Sequence, residues 1–275
     1  MEKKPLISVV TVSLNAEKTI ERTIKSVLSQ DFDNFEHVIV DGVSSDSTLN
    51  FIKKYSKKTK YPHKIDNWIS EKDGGLYDAM NKAVKLASGK YVIFLNADDY
   101  FVNKKVLSNI SKNISKMDVD LFCARVVFFE RGVEKTGKHP DHVENISSYF
   151  KRGHLIAHQG LFAKRNLLLK YPFDLSYVVL ADQDWMCRML NLNKSFYISN
   201  RVVSHFSLNG LSRRNFILFL KEHLRFIKNN FGTIECLLYL LVIYPYRKLD
   251  NFIGVIGMML KKNNPKFYYF LKKFV

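Results

Sequence analysis

Adjacent carboxylates follow a run of apolar residues near the middle of the chain. Residues 91–95 are apolar, and Asn96, Asp98 and Asp99 lie within the next four positions. Such a run predicts a buried strand, and open α/β sheets bind their ligands at the carboxyl ends of their strands. Carboxylates at that edge suit a hard divalent cation that carries phosphate oxygens. Acidic residues are also ordinary in turns after strands, so these four positions alone allow either interpretation.

Other polar residues stand at the ends of neighbouring apolar runs. The first predicted strand contains Ser13 and leads into Asn15, and the second leads into Asp41. We expect Asn15 to cap the helix between them. A Gly-rich turn with Asp73 precedes a further amphipathic helix, which we expect to end at a C-cap on Gly89. Alternating strands and helices predict a parallel sheet with helices on both faces, so these polar residues should share one edge.

Two common routes to phosphate binding are missing from the sequence. No Gly-x-Gly-x-x-Gly follows the first predicted strand, and no Gly-x-x-x-x-Gly-Lys-Ser/Thr occurs anywhere. The dinucleotide fingerprint and the P-loop are therefore excluded. A metal ion bound at Asp98 would hold phosphate in another way.

Five segments, taken together and in order, resemble the inverting family 2 glycosyltransferases of the GT-A fold, and in particular their bacterial surface-polysaccharide members. The segments are residues 9–15, 40–48, 70–83, 95–99 and 181–185. The resemblance implies an α/β, Rossmann-like fold with a mostly parallel sheet flanked by helices. It implies a catalytic domain at 1–212, with a nucleotide-sugar half at about 1–100 and an acceptor half at about 101–212.

The same resemblance implies a sugar-nucleotide donor whose diphosphate is bridged by Mn²⁺ or Mg²⁺. Asp98 resembles the last member of the family's Asp-x-Asp metal motif. Asn96 replaces the first member, which keeps a hydrogen-bonding group but removes a charge, so we expect Asp99 to share the metal with Asp98. Asp41 resembles the carboxylate that reads the nucleobase. The other residues expected to contact the donor are Ser13, Asn15 and Asp73, although Asp73 could equally be a solvated turn residue.

A catalytic base is the remaining requirement of inverting transfer, because the acceptor hydroxyl must lose its proton as it attacks. Asp182 matches the family's base by its place in the sequence Ala-Asp-Gln-Asp. Without the resemblance, Asp182 and Asp184 would be acids placed at a helix N-terminus by the helix dipole. We predict the base role for Asp182 and an orienting or capping role for Asp184.

Histidines supply further candidates near the acceptor. His158 and Gln159 resemble a segment that borders the acceptor pocket in such enzymes, and His205 resembles the start of a mobile loop that closes over the donor. Each histidine could instead be a structural residue. A zinc site formed by His139, His142, His154 and His158 is disfavoured, because their spacing fits no tight ligand pattern.

Composition and charge set the remaining expectations. With 275 residues, 47% of them hydrophobic, the chain can build one sizeable unit. Three widely spaced cysteines favour a reducing, cytosolic setting, and no signal peptide is recognised. The net charge is +17, and the sequence from Arg213 onward contains twelve basic and three acidic residues. We therefore expect residues 213–275 to form a basic amphipathic helical tail on the anionic inner face of the cytoplasmic membrane.

Together with the family resemblance, these observations predict a metal-dependent inverting glycosyltransferase. Two rival interpretations stand beside it. The predicted donor is a UDP-sugar, and the predicted acceptor is a polyprenyl-diphosphate-linked oligosaccharide of O-antigen, capsule or exopolysaccharide synthesis. One rival is a catalytically silent sugar-nucleotide-binding scaffold. The other is a basic nucleic-acid-binding protein, which is disfavoured because the positive charge is concentrated in the tail rather than along the chain.

Overall fold

The first half of the chain alternates strands and helices. A computed structural model describes residues 4–57, 60–130, 133–137, 139–207 and 215–245. The elements up to the acidic motif are β1 Ile7–Ser13, α1 Ile20–Leu28, β2 Phe35–Asp41, α2 Thr48–Tyr55, β3 Asn67–Ser70, α3 Leu76–Leu86 and β4 Tyr91–Phe94. They follow the order that the hydrophobic pattern predicts.

The second half is less regular. Its elements are β5 Tyr100–Phe101, α4 Val106–Met117, β6 Leu121–Glu130, β7 Val133–Thr136, α5 Ile146–Lys151, β8 Leu161–Lys164, α6 Arg165–Lys170, α7 Ala181–Asn191, β9 Phe196–His205, α8 Phe216–Phe231 and α9 Thr233–Leu238. Short 3₁₀ turns occupy Val143–Asn145 and His158–Gly160, and a π-helical turn occupies Tyr239–Ile243.

One nine-stranded sheet runs through the described part of the molecule in the order β3-β2-β1-β4-β8-β6-β9-β5, with β7 paired to β6. The strands β3, β2, β1 and β4 are mutually parallel, as expected. The sheet then becomes mixed, because β8 runs antiparallel to both β4 and β6 while β6 and β9 are parallel. The predicted parallel sheet therefore describes the first half of the chain, and the part of the sheet formed by the second half is mixed.

The central strands are buried on both faces. Every residue of β1 and β2 is buried, and successive side chains enter different layers. In β2, Ile39 packs with apolar residues of α1 and α2, whereas Val38 and Val40 pack with α3. Burying each such side chain contributes about 1.5–3 kcal/mol, so the layers hold the strand ends, and the residues that follow them, in fixed positions.

Two expected helix caps are wrong. Helix α1 begins at Ile20 after Thr19, and Asn15 instead adopts a left-handed conformation with a φ of 48°. Its side-chain oxygen accepts a hydrogen bond from the Ser45 amide at 2.8 Å, which ties the loops after β1 and β2 together. Helix α3 ends before Gly89. A side chain at Gly89 would collide with Ser8 of β1, so this glycine serves a close approach of backbones rather than a cap.

Helix α8, the start of the predicted tail, packs on the rest of the molecule. Its residues Phe226 and Ile227 are fully buried, and the Phe226 ring meets the Phe150 ring edge-on at 5.8 Å. The buried Glu222 carboxylate accepts hydrogen bonds from the backbone amides of Val178 and Val179 at 2.6 and 2.9 Å. The remainder of the tail, residues 246–275, lies outside the described residues. Within the described ranges, every helix is too short or too polar to cross a bilayer.

Candidate active site

A cavity of about 740 Å³ joins the acidic motif after β4 to the start of α7. Asp98 and Asp182 both line it, and Asn96, Tyr77 and His158 lie on its wall. These residues come from four separate segments. Sequence reasoning expected Asp98 and Asp182 to meet around one substrate, and the structure brings them to one cavity. Its volume is in the range of ordinary small-molecule sites.

The Asp182 carboxylate is held by four hydrogen bonds. Its Oδ1 accepts from the Tyr77 hydroxyl and from the Gln183 amide, both at 2.9 Å. Its Oδ2 is 2.7 Å from His158 Nδ1 and accepts from Gln183 Nε2 at 3.0 Å. Burial, together with the Asp182 charge, raises the pKa of Tyr77 well above its ordinary value, so Tyr77 keeps its proton and donates it in this bond. The carboxylate therefore has one fixed orientation at the edge of the cavity.

His158 connects Asp182 to the acidic motif. An ionised carboxylate only accepts, so its contact with Asp182 assigns the proton to Nδ1. On the other side of the ring, Nε2 lies 3.1 Å from Asn96 Nδ2. Burial lowers the pKa of His158, but the hydrogen bond and charge of Asp182, with the charges of Asp99 and Asp98, raise it overall. The imidazole thus bridges the predicted base and the predicted metal motif.

Asp99 is a buried structural centre. Its two oxygens accept hydrogen bonds from Gln159 Nε2 at 2.9 Å and from the Ser207 amide at 2.8 Å. Burial and the neighbouring Asp98 charge raise the pKa of Asp99 to about 7. Asp98 differs, because no described residue donates a hydrogen bond to its side chain, which lines the cavity. Of the two predicted metal ligands, Asp98 is the one whose oxygens are available to a ligand.

The donor set fits a divalent cation that is shared with a substrate. Asn96 Oδ1 is buried and has no hydrogen-bond partner among the described residues, and Asn96 lies two residues before Asp98. The described residues contain no group of three or more His, Cys, Asp or Glu side chains that could hold a metal by themselves. Mg²⁺ in nucleotide enzymes commonly takes one or two carboxylates and completes its shell with phosphate oxygens and water. Asp98 and Asn96 suit that kind of site.

Asp41 is fully buried at the end of β2, where it organises the neighbouring loop. Its oxygens accept hydrogen bonds from the hydroxyls of Ser13, Ser44 and Ser70 and from the Ser44 amide. Asn15 joins this group, because its own amide donates to Ser44 Oγ at 2.8 Å. The structure therefore brings Ser13, Asn15 and Asp41 together, as expected. They do not line the cavity that holds Asp98 and Asp182.

The loop after β2 is strained and closely packed. Val43 has a φ of 62°, a left-handed conformation that is unfavourable for a β-branched residue, and its side chain is exposed. Next to it, a side chain at Gly42 would collide with the Asp73 carboxylate, so glycine lets Asp73 approach this loop. The other Asp73 oxygen accepts from the Gly75 amide at 2.9 Å and shapes the turn before α3. Asp73 thus belongs to the edge formed by β1 and β2.

Gln159 and His205 are the two remaining residues with predicted roles. Gln159 lines the cavity and holds Asp99, whereas His205, at the end of β9, stacks between the rings of Tyr100 and Phe129 at 4.5 and 5.5 Å. Burial lowers the pKa of His205. Residues 208–214, where a mobile loop was expected, lie outside the described residues. Asp184 accepts from Arg188 Nε at 2.9 Å and from Asn230 of α8, which agrees with an orienting role.

Sequence reasoning missed two of the three partners of Asp182, namely Tyr77 and Gln183. Tyr77 lies in the segment 70–83 that carries the resemblance, and Gln183 lies between two acids with predicted roles. The bond from Tyr77 to Asp182 spans 105 positions. Such a long-range pairing needs the fold.

Known proteins resemble this chain in sequence. The family model described as Glycosyl transferase family 2 matches residues 8–168. An uncharacterized glycosyltransferase of Methanocaldococcus jannaschii is 30% identical over 200 residues, which is 71% of this chain and 68% of the relative. A PGL/p-HBAD biosynthesis glycosyltransferase of Mycobacterium tuberculosis is 30% identical over 215 residues, covering 76% of this chain and 79% of the relative.

Solved structures share the fold. The S. aureus TarS fragment 1–349 in complex with UDP aligns with a TM-score of 0.60 and 23% identity, over 82% of this chain and 66% of the fragment. The mannosyltransferase PcManGT of Pyrobaculum calidifontis, in complex with GDP-Man and Mn²⁺, aligns with a TM-score of 0.64 and 15% identity, over 99% and 84%. The fold is that of the GT-A glycosyltransferases. With the family match over more than half of its length, the chain belongs to glycosyl transferase family 2.

Proposed function

We propose that this glycosyltransferase is metal-dependent and inverting, and that it transfers a sugar from a UDP-sugar to a polyprenyl-diphosphate-linked oligosaccharide. The observation that carries the proposal is the shared cavity of Asp98 and Asp182. A candidate cation site and a candidate base that line one cavity are what inverting transfer requires. The proposed catalytic domain is residues 1–212.

The charge of the cavity supports metal dependence. Asp98, Asp99 and Asp182 line it, while no Lys or Arg occurs among the described residues that do so. The diphosphate of a nucleotide would therefore meet carboxylates without a Lys or Arg side chain to offset their charge. Bound to Asp98, Mn²⁺ or Mg²⁺ would neutralise the charge that develops on the departing diphosphate.

Asp182 performs the proton step in this proposal. The acceptor hydroxyl approaches its carboxylate, and Tyr77, His158 and Gln183 hold that carboxylate in place. As the hydroxyl oxygen attacks the anomeric carbon, its proton passes to Asp182. Ser13, Asn15, Asp41 and Asp73 shape the edge that receives the nucleoside, with Asp41 acting through the serine hydroxyls it holds.

The choice of UDP and of a surface glycan draws on relatives. TarS has been solved with UDP and with UDP-GlcNAc, and one relative takes part in PGL biosynthesis. A GDP-sugar is the alternative donor, since PcManGT binds GDP-Man. Location at the inner face of the cytoplasmic membrane is part of the proposal, and it is supported by the basic charge after Arg213.

Donor turnover tests the proposal. Hydrolysis or transfer is measured with a panel of UDP- and GDP-sugars, with Mn²⁺, with Mg²⁺ and with EDTA. We expect turnover of at least one UDP-sugar that EDTA abolishes, and loss of that turnover in Asp98→Asn. The matched control is Asp33→Asn, whose carboxylate is fully exposed. Turnover that persists in EDTA would exclude a metal from the mechanism. Turnover that persists in Asp98→Asn would exclude Asp98 as an essential ligand of the metal.

A further inference from the structure

The cavity beside Asp182 has one charged end and a long apolar remainder. Its carboxylates are those of Asp98, Asp99 and Asp182, which stand together with His158. Most of the other lining residues are apolar or aromatic, and they include Val126, Phe128, Leu155 and Phe219. A site that held only a polar sugar would not need so many apolar lining residues.

Strand β6 forms one wall of the apolar part. Ala124, Val126 and Phe128 all line the cavity, as alternate residues on one face of a strand do. Ala124 lies beside the turn that carries His158, because a side chain at Gly160 would collide with the Ala124 carbonyl oxygen. Phe128 is two residues further along the strand than Val126, beyond the irregular pairing with β9 between Cys123 and Val126. The apolar wall therefore leads away from the reacting groups.

The opposite wall comes from different segments. Phe219 projects from the first turns of α8, and Leu155 lies just before the His158 turn, and both line the cavity. Each is only partly buried, although each packs against the main apolar core at its base. Water that covers such surfaces is displaced favourably by an apolar group, at about 25 cal/mol per Å².

Charge restricts what this part can hold. Among the described residues no Lys or Arg lines the cavity, although His139, His154 and His158 do. Burial lowers the pKa of His139, and His158, whose pKa is raised, is held by Asp182 at the charged end of the cavity. An anionic group placed there would lose water without gaining a cation, which is costly. A neutral apolar group loses nothing of that kind.

We propose that this apolar slot binds a neutral ring or alkyl chain of the acceptor whose hydroxyl approaches Asp182. The inference rests on the proposed function and concerns the apolar part of its acceptor. The acceptor is then an amphiphile whose apolar group lies in the slot while its hydroxyl approaches Asp182, and any phosphate that it carries stays outside the slot.

Matched acceptors test the proposal. Methyl, phenyl and octyl glycosides of glucose, galactose and mannose are compared as acceptors with the best donor and Mn²⁺. Their direct binding is measured in parallel by ligand-observed NMR. We expect phenyl or octyl glycosides to exceed the methyl glycoside of the same sugar by about tenfold in kcat/KM or in affinity, and glucose 6-phosphate to gain nothing. Equal values for methyl, phenyl and octyl glycosides would overturn the proposal.

Variants locate the effect in the slot. Phe219→Ala and Phe128→Ser, on different walls, should each reduce the phenyl-to-methyl ratio at least severalfold. The matched control is Ile217→Ala on the same helix as Phe219, because Ile217 is 67% exposed and does not line the cavity. Thermal unfolding establishes whether each variant is folded. Because there are two variants, the test still decides if one of them fails to fold. A ratio that changes equally in Ile217→Ala would overturn the assignment to this slot.

The two proposals fail in different ways. Donor hydrolysis that depends on Mn²⁺, combined with equal use and equal binding of all three glycosides, contradicts the slot and leaves the proposed function standing. Absence of any donor turnover or donor binding contradicts the proposed function. In that case the direct binding comparison still decides whether the slot takes an apolar group.

Discussion

At the scale of single residues, Asp182 shows how a helix-terminal acid becomes a candidate base. Helix-dipole placement alone would leave such a carboxylate facing solvent. Here it is buried and accepts four hydrogen bonds from three residues, Tyr77, His158 and Gln183. Fixing one carboxylate orientation in advance removes part of the entropy cost of reaching the transition state. Asp184 is also buried and is held by Arg188 and Asn230, but unlike Asp182 it does not line the cavity.

Replacing the candidate base tests its role. In Asp182→Asn we expect kcat for transfer to fall by about 100- to 10,000-fold, the usual contribution of a general base. The amide keeps the size of the side chain, so donor binding in the presence of Mn²⁺ should change little. Transfer kinetics and a donor-dependent thermal shift measure the two effects. Asp33→Asn is the control, and transfer at the wild-type rate in Asp182→Asn would exclude the base role.

A second residue-scale prediction concerns stability in acid. His37 is completely buried in β2, with one hydrogen bond to Thr11, and burial lowers its pKa to about 3. Between that value and the unfolded value of 6.5, only the unfolded chain binds the proton. Stability from His37 is therefore lost as the pH falls below 6.5, by about 2 kcal/mol at pH 5.

Urea unfolding at pH 7, 6 and 5 isolates this term. Asp99 and Asp66 have raised pKa values and act in the opposite direction, since their native forms gain protons first. The comparison is therefore made between wild type and His37→Gln. We expect the stability difference between the two proteins to shift in favour of His37→Gln by about 2 kcal/mol from pH 7 to pH 5. A difference that does not vary with pH would contradict the prediction.

Sequence identified the site residues that local motifs mark and missed those that only the fold brings together. Asp98 follows an apolar strand, and Asp182 stands in an acidic run, so each is visible in its own segment. The role of Tyr77 depends on a partner 105 positions away, and the side chain of Gln183 meets Asp182 only in the folded conformation of the helix start. The sequence also did not show that Asp41, which is predicted to read the nucleobase, is fully buried and accepts hydrogen bonds from three serine hydroxyls.

At the scale of elements, prediction succeeded where the hydrophobic period was regular. β1, α1, β2, α2 and α3 each alternate or repeat at the spacing of their type, and the structure contains them in that order. β8 is different, because a four-residue strand carries no direction in its sequence, and its antiparallel pairing with β4 follows from the loops around it. The mixed half of the sheet could not be predicted for that reason.

Helix α8 acts as a clamp on the segment that leads to Asp182. The Glu222 carboxylate accepts hydrogen bonds from the backbone amides of Val178 and Val179, four and three residues before Asp182. Arg225 adds hydrogen bonds to the Ser176 carbonyl and hydroxyl and lies over the Tyr177 ring at 4.4 Å. The helix that the sequence assigned to a tail therefore helps to hold the segment that leads to Asp182.

Removing the clamp tests this contribution. Glu222→Ala leaves two amides unsatisfied near a buried interface, so we expect a loss of about 2–5 kcal/mol in the free energy of unfolding. Transfer activity should fall as well, because the segment before Asp182 loses its anchor. Chemical denaturation and kinetics measure these effects. Lys221→Ala, its exposed neighbour, should change stability by less than about 0.5 kcal/mol, and an equal effect of both variants would argue against a clamp.

At the scale of the whole molecule, charge and exposed apolar groups concentrate toward the C-terminal part. The chain carries +17, with twelve basic residues after position 212. Ile234, Leu237 and Leu241 recur at helical spacing in and just after α9, and they are 72%, 52% and 71% exposed. Basic side chains near an apolar helical face are typical of proteins that lie on anionic bilayers. The slot beside Asp182 is partly walled by the same C-terminal segments, through Phe219 and Tyr244.

Binding to vesicles tests this surface with the full chain. We expect flotation with vesicles that contain phosphatidylglycerol, little flotation with phosphatidylcholine alone, and release as NaCl rises and screens the charge. Leu237→Ser combined with Leu241→Ser removes two half-embedded side chains, so the affinity for anionic vesicles should fall about tenfold. Leu169→Ser, an exposed leucine of α6, is the matched control. Equal flotation of wild type and the double variant would assign any binding to charge alone, and no flotation at low salt would exclude the membrane surface, because electrostatic attraction is strongest there.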